Sequence, residues 1–221
     1  MTVNKAYSGK ARTPLFRGAF VRIIDPEVNL DKDGTTSKAW SITAILPAGT
    51  DITQVNAAID EAATKCWGSK AGAIMASRNF RKPIKDGETQ CNRDGLLYDG
   101  FAAGQITFKL TTRQQAPGIV DRFARPIKDA IGTTLVDKKS DTHEVIPENV
   151  IFSGCWFNAT FCAHAYDRAD GRGVSLKLEN LQLVRQDQRL GAVGLTKAED
   201  DFAPLTAGYA SEADEIAALL S

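Results

Sequence analysis

From Phe157 to Ala165 apolar residues occupy every second position: Phe157, Ala159, Phe161, Ala163 and Ala165. Trp156, Asn158, Thr160, Cys162, His164 and Tyr166 fill the positions between them. Side chains alternate across a strand, so this pattern predicts a long strand with one dry face and one face of rings and hydrogen-bonding groups. Gly154 just ahead of it marks a bend or bulge. After the glycine-rich turn Arg168-Ala169-Asp170-Gly171-Arg172-Gly173, Val174, Leu176 and Leu178 share a face, while Leu181 and Leu183 continue on the opposite phase. A bulge near Glu179-Asn180 reconciles the two phases and makes a hairpin with the preceding strand.

The same reading applied upstream predicts a strand over Leu15–Ile24, ended by Asp25-Pro26. A second strand, Lys38–Leu46, carries Trp40, Ile42, Ala44 and Leu46 on one face, and the two pair as a hairpin. Asp51 opens a helix with Gln54 in the capping-box position. Ile52, Val55, Ile59, Ala62 and Cys66 recur at helical spacing, and Gly68 suits the C-terminal cap. Phe101–Thr112 is a strand with Ile106, Phe108 and Leu110 inward and Gln105, Thr107, Lys109, Thr111 and Arg113 outward. Ile119-Val120 is a short edge strand. Residues 1–14 read as a mobile basic arm, and Ser69–Asp99 and Asp121–Pro147 read as irregular basic stretches. Asp31-Lys32-Asp33-Gly34 is a turn whose glycine falls too early for a calcium loop. Five or six strands without strand–helix alternation predict an all-β fold: an OB-fold-like five-stranded antiparallel barrel with one capping helix and long loops.

Charge sharpens this picture. The chain has 27 bases and 27 acids, yet Ala198–Ser221 holds six acids and no base. The body, 1–197, therefore keeps all 27 bases against 21 acids, a net of +6. The expected division is a binding domain over 1–190 and a flexible, disordered acidic C-terminal tail over 191–221. No apolar run is long enough to cross a membrane as a helix, and Met1–Lys10 lacks the apolar core of a signal peptide, so a cytoplasmic protein with reduced thiols is expected.

Catalytic patterns are missing from the sequence. It has no phosphate-binding Gly-x-x-x-x-Gly-Lys loop and no Gly-x-Ser-x-Gly elbow. Cys162 and His164 share a strand face, but no Cys-x-x-Cys pair completes a zinc site, so packed thiols and a hydrogen-bonded histidine are the simpler reading and no metal or cofactor is expected. What the chain offers is cations and rings. Single-stranded nucleic acid is held by a basic groove that tracks phosphates and by rings on which bases stack. The candidate contacts are Arg78, Phe80, Arg81, Lys82, Lys85, Lys109 and Arg113 from the basic segments, with Trp156, His164 and Tyr166 from the long strand.

Several blocks agree in order with a known pattern. They are Val150-Ile151-Phe152-Ser153-Gly154-Cys155-Trp156-Phe157-Asn158-Ala159, Ala165-Tyr166-Asp167 and Gly173-Val174-Ser175-Leu176-Lys177-Leu178-Glu179-Asn180-Leu181-Gln182. With Leu46-Pro47, Trp67-Gly68 and Tyr98-Asp99-Gly100 upstream, the chain over roughly 15–190 resembles the tailed-phage single-stranded DNA-binding proteins of the OB-fold type. The resemblance implies a non-catalytic protein that coats single-stranded DNA in phage replication and recombination, in the host cytoplasm. It also implies that the acidic tail recruits replication proteins such as a polymerase, helicase or primase. Candidate tail contacts are Asp200, Asp201, Phe202, Asp214, Glu215, Ile216, Leu219 and Leu220. A homodimer is compatible with the sequence. An RNA-binding OB module and a metal-dependent nuclease are the alternatives.

Overall fold

Alternation in the sequence becomes alternation in burial: from Trp156 to Tyr166 half-buried and buried residues take turns without a break. The computed structural model describes residues 6–30, 34–131, 134–136 and 150–191, with backbone alone for 128–131 and 134–136. In chain order these form β1 (Ala6–Tyr7), β2 (Ala11–Arg12), β3 (Phe16–Leu30), β4 (Thr36–Leu46), α1 (Thr53–Trp67), α2 (Ala71–Met75), β5 (Phe80–Arg81) and β6 (Ile84–Asp86). There follow β7 (Ile106–Thr112), β8 (Gly118–Val120), β9 (Lys128–Ile131), β10 (Thr134–Val136), β11 (Trp156–Arg168) and β12 (Gly171–Arg185). The chain divides into units Met1–Gly191 and Ala192–Ser221, and every described residue lies in the first. The candidate tail contacts lie outside the described residues.

Five strands close a ring: β3 pairs β4, β4 pairs β7, β7 pairs β12, β12 pairs β11 and β11 returns to β3. Five is odd, so directions cannot alternate all the way round. The break falls between β7 and β12, which run parallel and touch at only two register pairs, Leu110–Leu176 and Thr111–Lys177. The rest of that edge of β12 is taken by β5 at Arg172 and Gly173 and by β8 at Asn180–Gln182. The barrel is filled by Phe16, Ile42, Leu46, Phe108, Leu110, Phe157, Phe161 and Leu178, all close to fully buried. Each buried phenylalanine contributes about 1.5–3 kcal/mol of apolar transfer energy. Val55, Ala58, Ile59, Ala62 and Ala63 of α1 are buried with them. The helix packs against β11 and β1. Asp51 accepts both the Thr53 N–H (2.9 Å) and the Thr53 hydroxyl (2.6 Å), so the cap is one-sided and no reciprocal box with Gln54 forms. Gly68 takes φ 57° and donates to the Thr64 carbonyl, ending the helix where expected.

The bulge in the last hairpin sits where the phase switch required it. Thr160 faces Asn180 and Phe161 faces Leu178, so Glu179 is the extra residue. Pro26 does not end its strand, contrary to expectation. β3 runs on to Leu30, and its register jumps from Arg22–Ser41 to Glu27–Ala39. Pro26 therefore lies in a bulge, where a missing N–H removes no ladder bond.

The N-terminal segment is also not a free arm from Ala6 onward. Ala6 and Tyr7 pair with Ala165 and His164, and Ala11 and Arg12 pair with Phe161 and Thr160. Where these short strands depart from the ladder, hydroxyls complete it. Ala163 N–H donates to Ser8 Oγ (2.9 Å) and Ala159 N–H donates to Thr13 Oγ1 (2.9 Å). The stretches read as irregular hold α2, β5 and β6 in one case and the β9–β10 hairpin in the other. Phe20, at φ 48°, lies 5.7 Å from Phe101 and meets Tyr98 edge-on at 5.0 Å. These contacts hold the segment before β7 onto β3.

Candidate nucleic-acid interface

A trough of about 430 Å³ opens at the two-pair seam between β7 and β12. Its floor is the outward face of three strands: Lys109, Thr111 and Arg113 around β7, Ser175 and Lys177 on β12, and His164 on β11. One wall is Tyr7 of β1, and the other is the Lys82-Pro83 turn with Lys85 of β6. Among the described residues that line it, five are cationic (Lys82, Lys85, Lys109, Arg113 and Lys177) and none is a carboxylate. Such a concave run of one sign concentrates field toward an anionic ligand.

Rings stand at the edge of this charge. Tyr7 and His164 stack with centroids 4.5 Å apart and planes at 22°, a direct result of their pairing across β1 and β11. Lys177 Nζ lies 5.7 Å from the Tyr7 ring and donates to Gln114 Oε1 at 2.7 Å. Tyr166 is the next outward residue along β11. Its ring is 6.3 Å from His164, with the Arg168 guanidinium 5.1 Å above it. A base sliding over Tyr7 or Tyr166 would meet a flat face bordered by cations.

Among the expected contacts the fold gathers Lys82, Lys85, Lys109, Arg113 and His164 around one trough, with Tyr166 beside it. It separates the others. Phe80 is 8% exposed and packs edge-on against Trp67 at 6.1 Å, so its ring faces the core and not the trough. Arg81 is drawn to the β11–β12 turn, where it donates to the Asp170 carbonyl (2.8 Å) and pairs with its carboxylate (3.5 Å). A Cβ on Gly173 would come within 2.6 Å of the Tyr166 hydroxyl and 2.8 Å of the Arg81 carbonyl, so glycine permits this close packing. Trp156 shares the outward face of β11, yet ten residues separate it from Tyr166, roughly 33 Å of strand. There its indole N–H donates to Asp187 (2.8 Å), and Arg185 covers the ring at 4.6 Å. Arg78 is exposed ahead of β5 and does not line the trough. Sequence reasoning missed Tyr7, Lys177 and Gln114. Lys177 was within reach, since it alternates with the buried Leu176 and Leu178; Tyr7 was not, because its pairing spans most of the chain.

Cys162 carries no nucleophile. Burial first, then its hydrogen bond to the Glu179 carboxylate (3.2 Å), pushes the thiol up to about 11, far above where a thiolate forms near neutrality. Glu179 in turn pairs with Lys10 at 2.8 Å, and that hydrogen bond holds its carboxyl below the ordinary range.

A closed five-stranded ring with a basic, ring-bearing outer trough is the architecture of an OB-type barrel, a class that binds nucleic acid across its wall. The chain belongs to the Enterobacter phage Enc34 ssDNA-binding protein family, whose sequence pattern matches residues 10–216. The structure is similar to that of the single-stranded DNA-binding protein of bacteriophage Enc34, at a TM-score of 0.53 and 14% identity over 88% of this chain and 90% of that one. The same Enc34 protein in complex with ssDNA gives a TM-score of 0.55 at 15% identity, covering 82% and 89%. The gp2.5 single-stranded DNA-binding protein of bacteriophage T7 gives 0.50 at 15% identity, covering 92% and 99%. A search of curated protein sequences finds no match.

Proposed function

We propose that the protein coats single-stranded DNA during phage replication and recombination in the host cytoplasm, gripping the strand in the trough over β7, β12 and β11. The observation that carries this reading is the set of five cations, with no carboxylate among the described lining residues, placed beside the stacked Tyr7–His164 pair. Cations bind phosphates whatever the sequence, and each stacked base adds about 1–3 kcal/mol with little regard to its identity. Family membership supports the same reading. The action is binding and not catalysis, so labelled strands incubated with magnesium or manganese should stay intact. The test is a gel shift of single- against double-stranded oligonucleotides over a salt series. Single strands should win, and log affinity against log salt should fall with a slope of about −3.5 if all five cations meet phosphates, at about −0.7 each. A slope near zero would sink the trough as the binding surface, and a matched RNA oligonucleotide binding more tightly than DNA would change the ligand.

The acidic segment completes the proposal, with residues 1–190 as the binding domain and 191–221 as a separate tail. Six carboxylates tethered to the domain that carries the basic trough compete with phosphates at high effective concentration. Ile216, Leu219 and Leu220 follow Ser211-Glu212-Ala213-Asp214 at a spacing that gathers them on one side of a short helix formed against a polymerase, helicase or primase. Deleting 198–221 should tighten binding to single strands at low salt, with the gain shrinking as salt screens the charges. The same deletion should abolish capture of the cognate polymerase. Weaker DNA binding would remove the competitor role, and undiminished capture would remove the recruiting role.

A further inference from the structure

We propose a second subsite for single-stranded DNA, built by the Asp121–Arg125 turn and the trough beside it, which takes the strand as it leaves the first trough. This rests on the single-strand reading above. The turn is organised around one buried carboxylate. Asp121 is 3% exposed and accepts the Phe123 N–H (2.9 Å), the Arg125 N–H (2.9 Å) and Arg125 Nε (2.6 Å). Burial alone would raise its carboxyl, but those bonds hold it below the ordinary carboxylate range. The backbone closes the same turn through Asp121 N–H to the Arg125 carbonyl (2.9 Å), with Ala124 at φ 59°. Gln182 of β12 donates to the Asp121 and Arg122 carbonyls at 3.4 and 3.5 Å, tying the turn to the barrel.

All of this holds one large ring in water. Phe123 is 63% exposed, with the guanidinium carbons of Arg122 and Arg125 at 4.7 and 5.1 Å from its centre. Folding gains little from an exposed phenylalanine, and holding a non-glycine residue such as Ala124 at positive φ costs stability. A ring already held beside two cations loses little freedom when a base stacks on it. Arg122 can then turn to a phosphate beside that base, while Arg125, its Nε held by Asp121, keeps its terminal N–H groups for another.

The surroundings fit a polynucleotide. Next to the turn lies a trough of about 480 Å³, where Arg12, Asn158, Thr160, Asn180 and Gln182 meet Ala124. Its floor is the outward face of β11 and β12, two of the strands that floor the first trough. A smaller depression of about 260 Å³, lined by Lys10, Gln114, Lys177, Glu179 and Asn180 among others, lies between the two. Among the described residues Glu179 is the one carboxylate lining any of the three, and Lys10 neutralises it at 2.8 Å. From Ser175 to Gln182 the path runs roughly 20 Å along β12.

The test is fluorescence anisotropy with oligo-dT of about 5 and about 16 nucleotides, inside the range that one OB fold covers. Phe123→Ala should leave the short oligonucleotide at wild-type affinity and weaken the long one at least fivefold; Phe123→Tyr should restore it. Lys109→Glu should weaken both. Equal loss at both lengths, or loss at neither, would overturn the second subsite while leaving the first trough standing. A wild-type protein that binds neither oligonucleotide would overturn the single-strand reading and this one with it.

Discussion

Reversing Lys109 and Arg113 to glutamate should weaken binding to a short oligo-dT about a hundredfold near physiological salt and flatten the salt dependence. Both side chains are exposed and line the seam trough, so neither is needed for packing and the variant should melt close to wild type. Losing two phosphate contacts lowers the log–log slope by about 1.4 at about 0.7 each. Two carboxylates facing phosphates then add repulsion, which is screened only beyond about 8 Å in physiological salt. A cost of about 3 kcal/mol is the sum expected, within the several kcal/mol that like charges exact at an interface. The matched control reverses Arg185 and Arg189, which border Trp156 and Phe152 at the other end of β11. It changes net charge equally and should cost the short oligonucleotide little. If the control costs as much as the trough variant, the strand runs over Trp156 and the seam is not the site.

That control separates what alternation along a strand reveals from what it hides. Period two put Trp156, His164 and Tyr166 on one face, and they are on one face. It gave no weight to distance along the strand, so it joined a ring held by Asp187 to rings at the opposite end. Local signals were readable wherever the chain contradicts itself in a small window. The switch of phase between Leu178 and Leu181 demanded a bulge, and Glu179 supplies it. Positions whose partner is remote were not readable. Tyr7 reaches the trough only by pairing with His164, and Ser8 and Thr13 matter only by completing the β11 ladder. Asp25-Pro26 misled because an unpaired bulge, set by the register of β4, removes the cost that normally ends a strand at proline. Arg81 and Phe80 fall outside the trough for a related reason. Two-residue strands such as β5 have no period of their own, so the sequence cannot say which side chain faces in.

Gly154→Ala should lower stability by about 4 kcal/mol, the largest effect expected of any single methyl group here. Gly154 sits at φ 120°, a region that residues with a Cβ avoid. A Cβ placed there would lie 2.2 Å from the Gln188 carbonyl oxygen. A backbone oxygen cannot rotate away as a side chain would, so the strand end must shift. Much is anchored to that point: Gly154 N–H donates to the Gly18 carbonyl (2.8 Å), Gly18 N–H donates to the Cys155 carbonyl (2.8 Å), and Arg17 Nε reaches the Gly154 carbonyl (3.3 Å). Gly18 cannot give way, because a Cβ on it would already stand 2.7 Å from the Phe157 ring. Dihedral strain of about 1–3 kcal/mol and overpacking of about 1–3 kcal/mol give the total. For a chain of this size that is a fall in Tm of about 10 °C. Gly49→Ala isolates the two causes, since Gly49 has φ 77° but open space within 4 Å of where the alanine methyl would stand. It should cost the dihedral part alone. Thermal melts of the two variants decide the matter: a Gly154→Ala protein as stable as Gly49→Ala would show that the carbonyl contact carries no energy. Below its lowered Tm the Gly154→Ala protein should still bind short oligo-dT like wild type, because the seam trough lies roughly 30 Å away along β11.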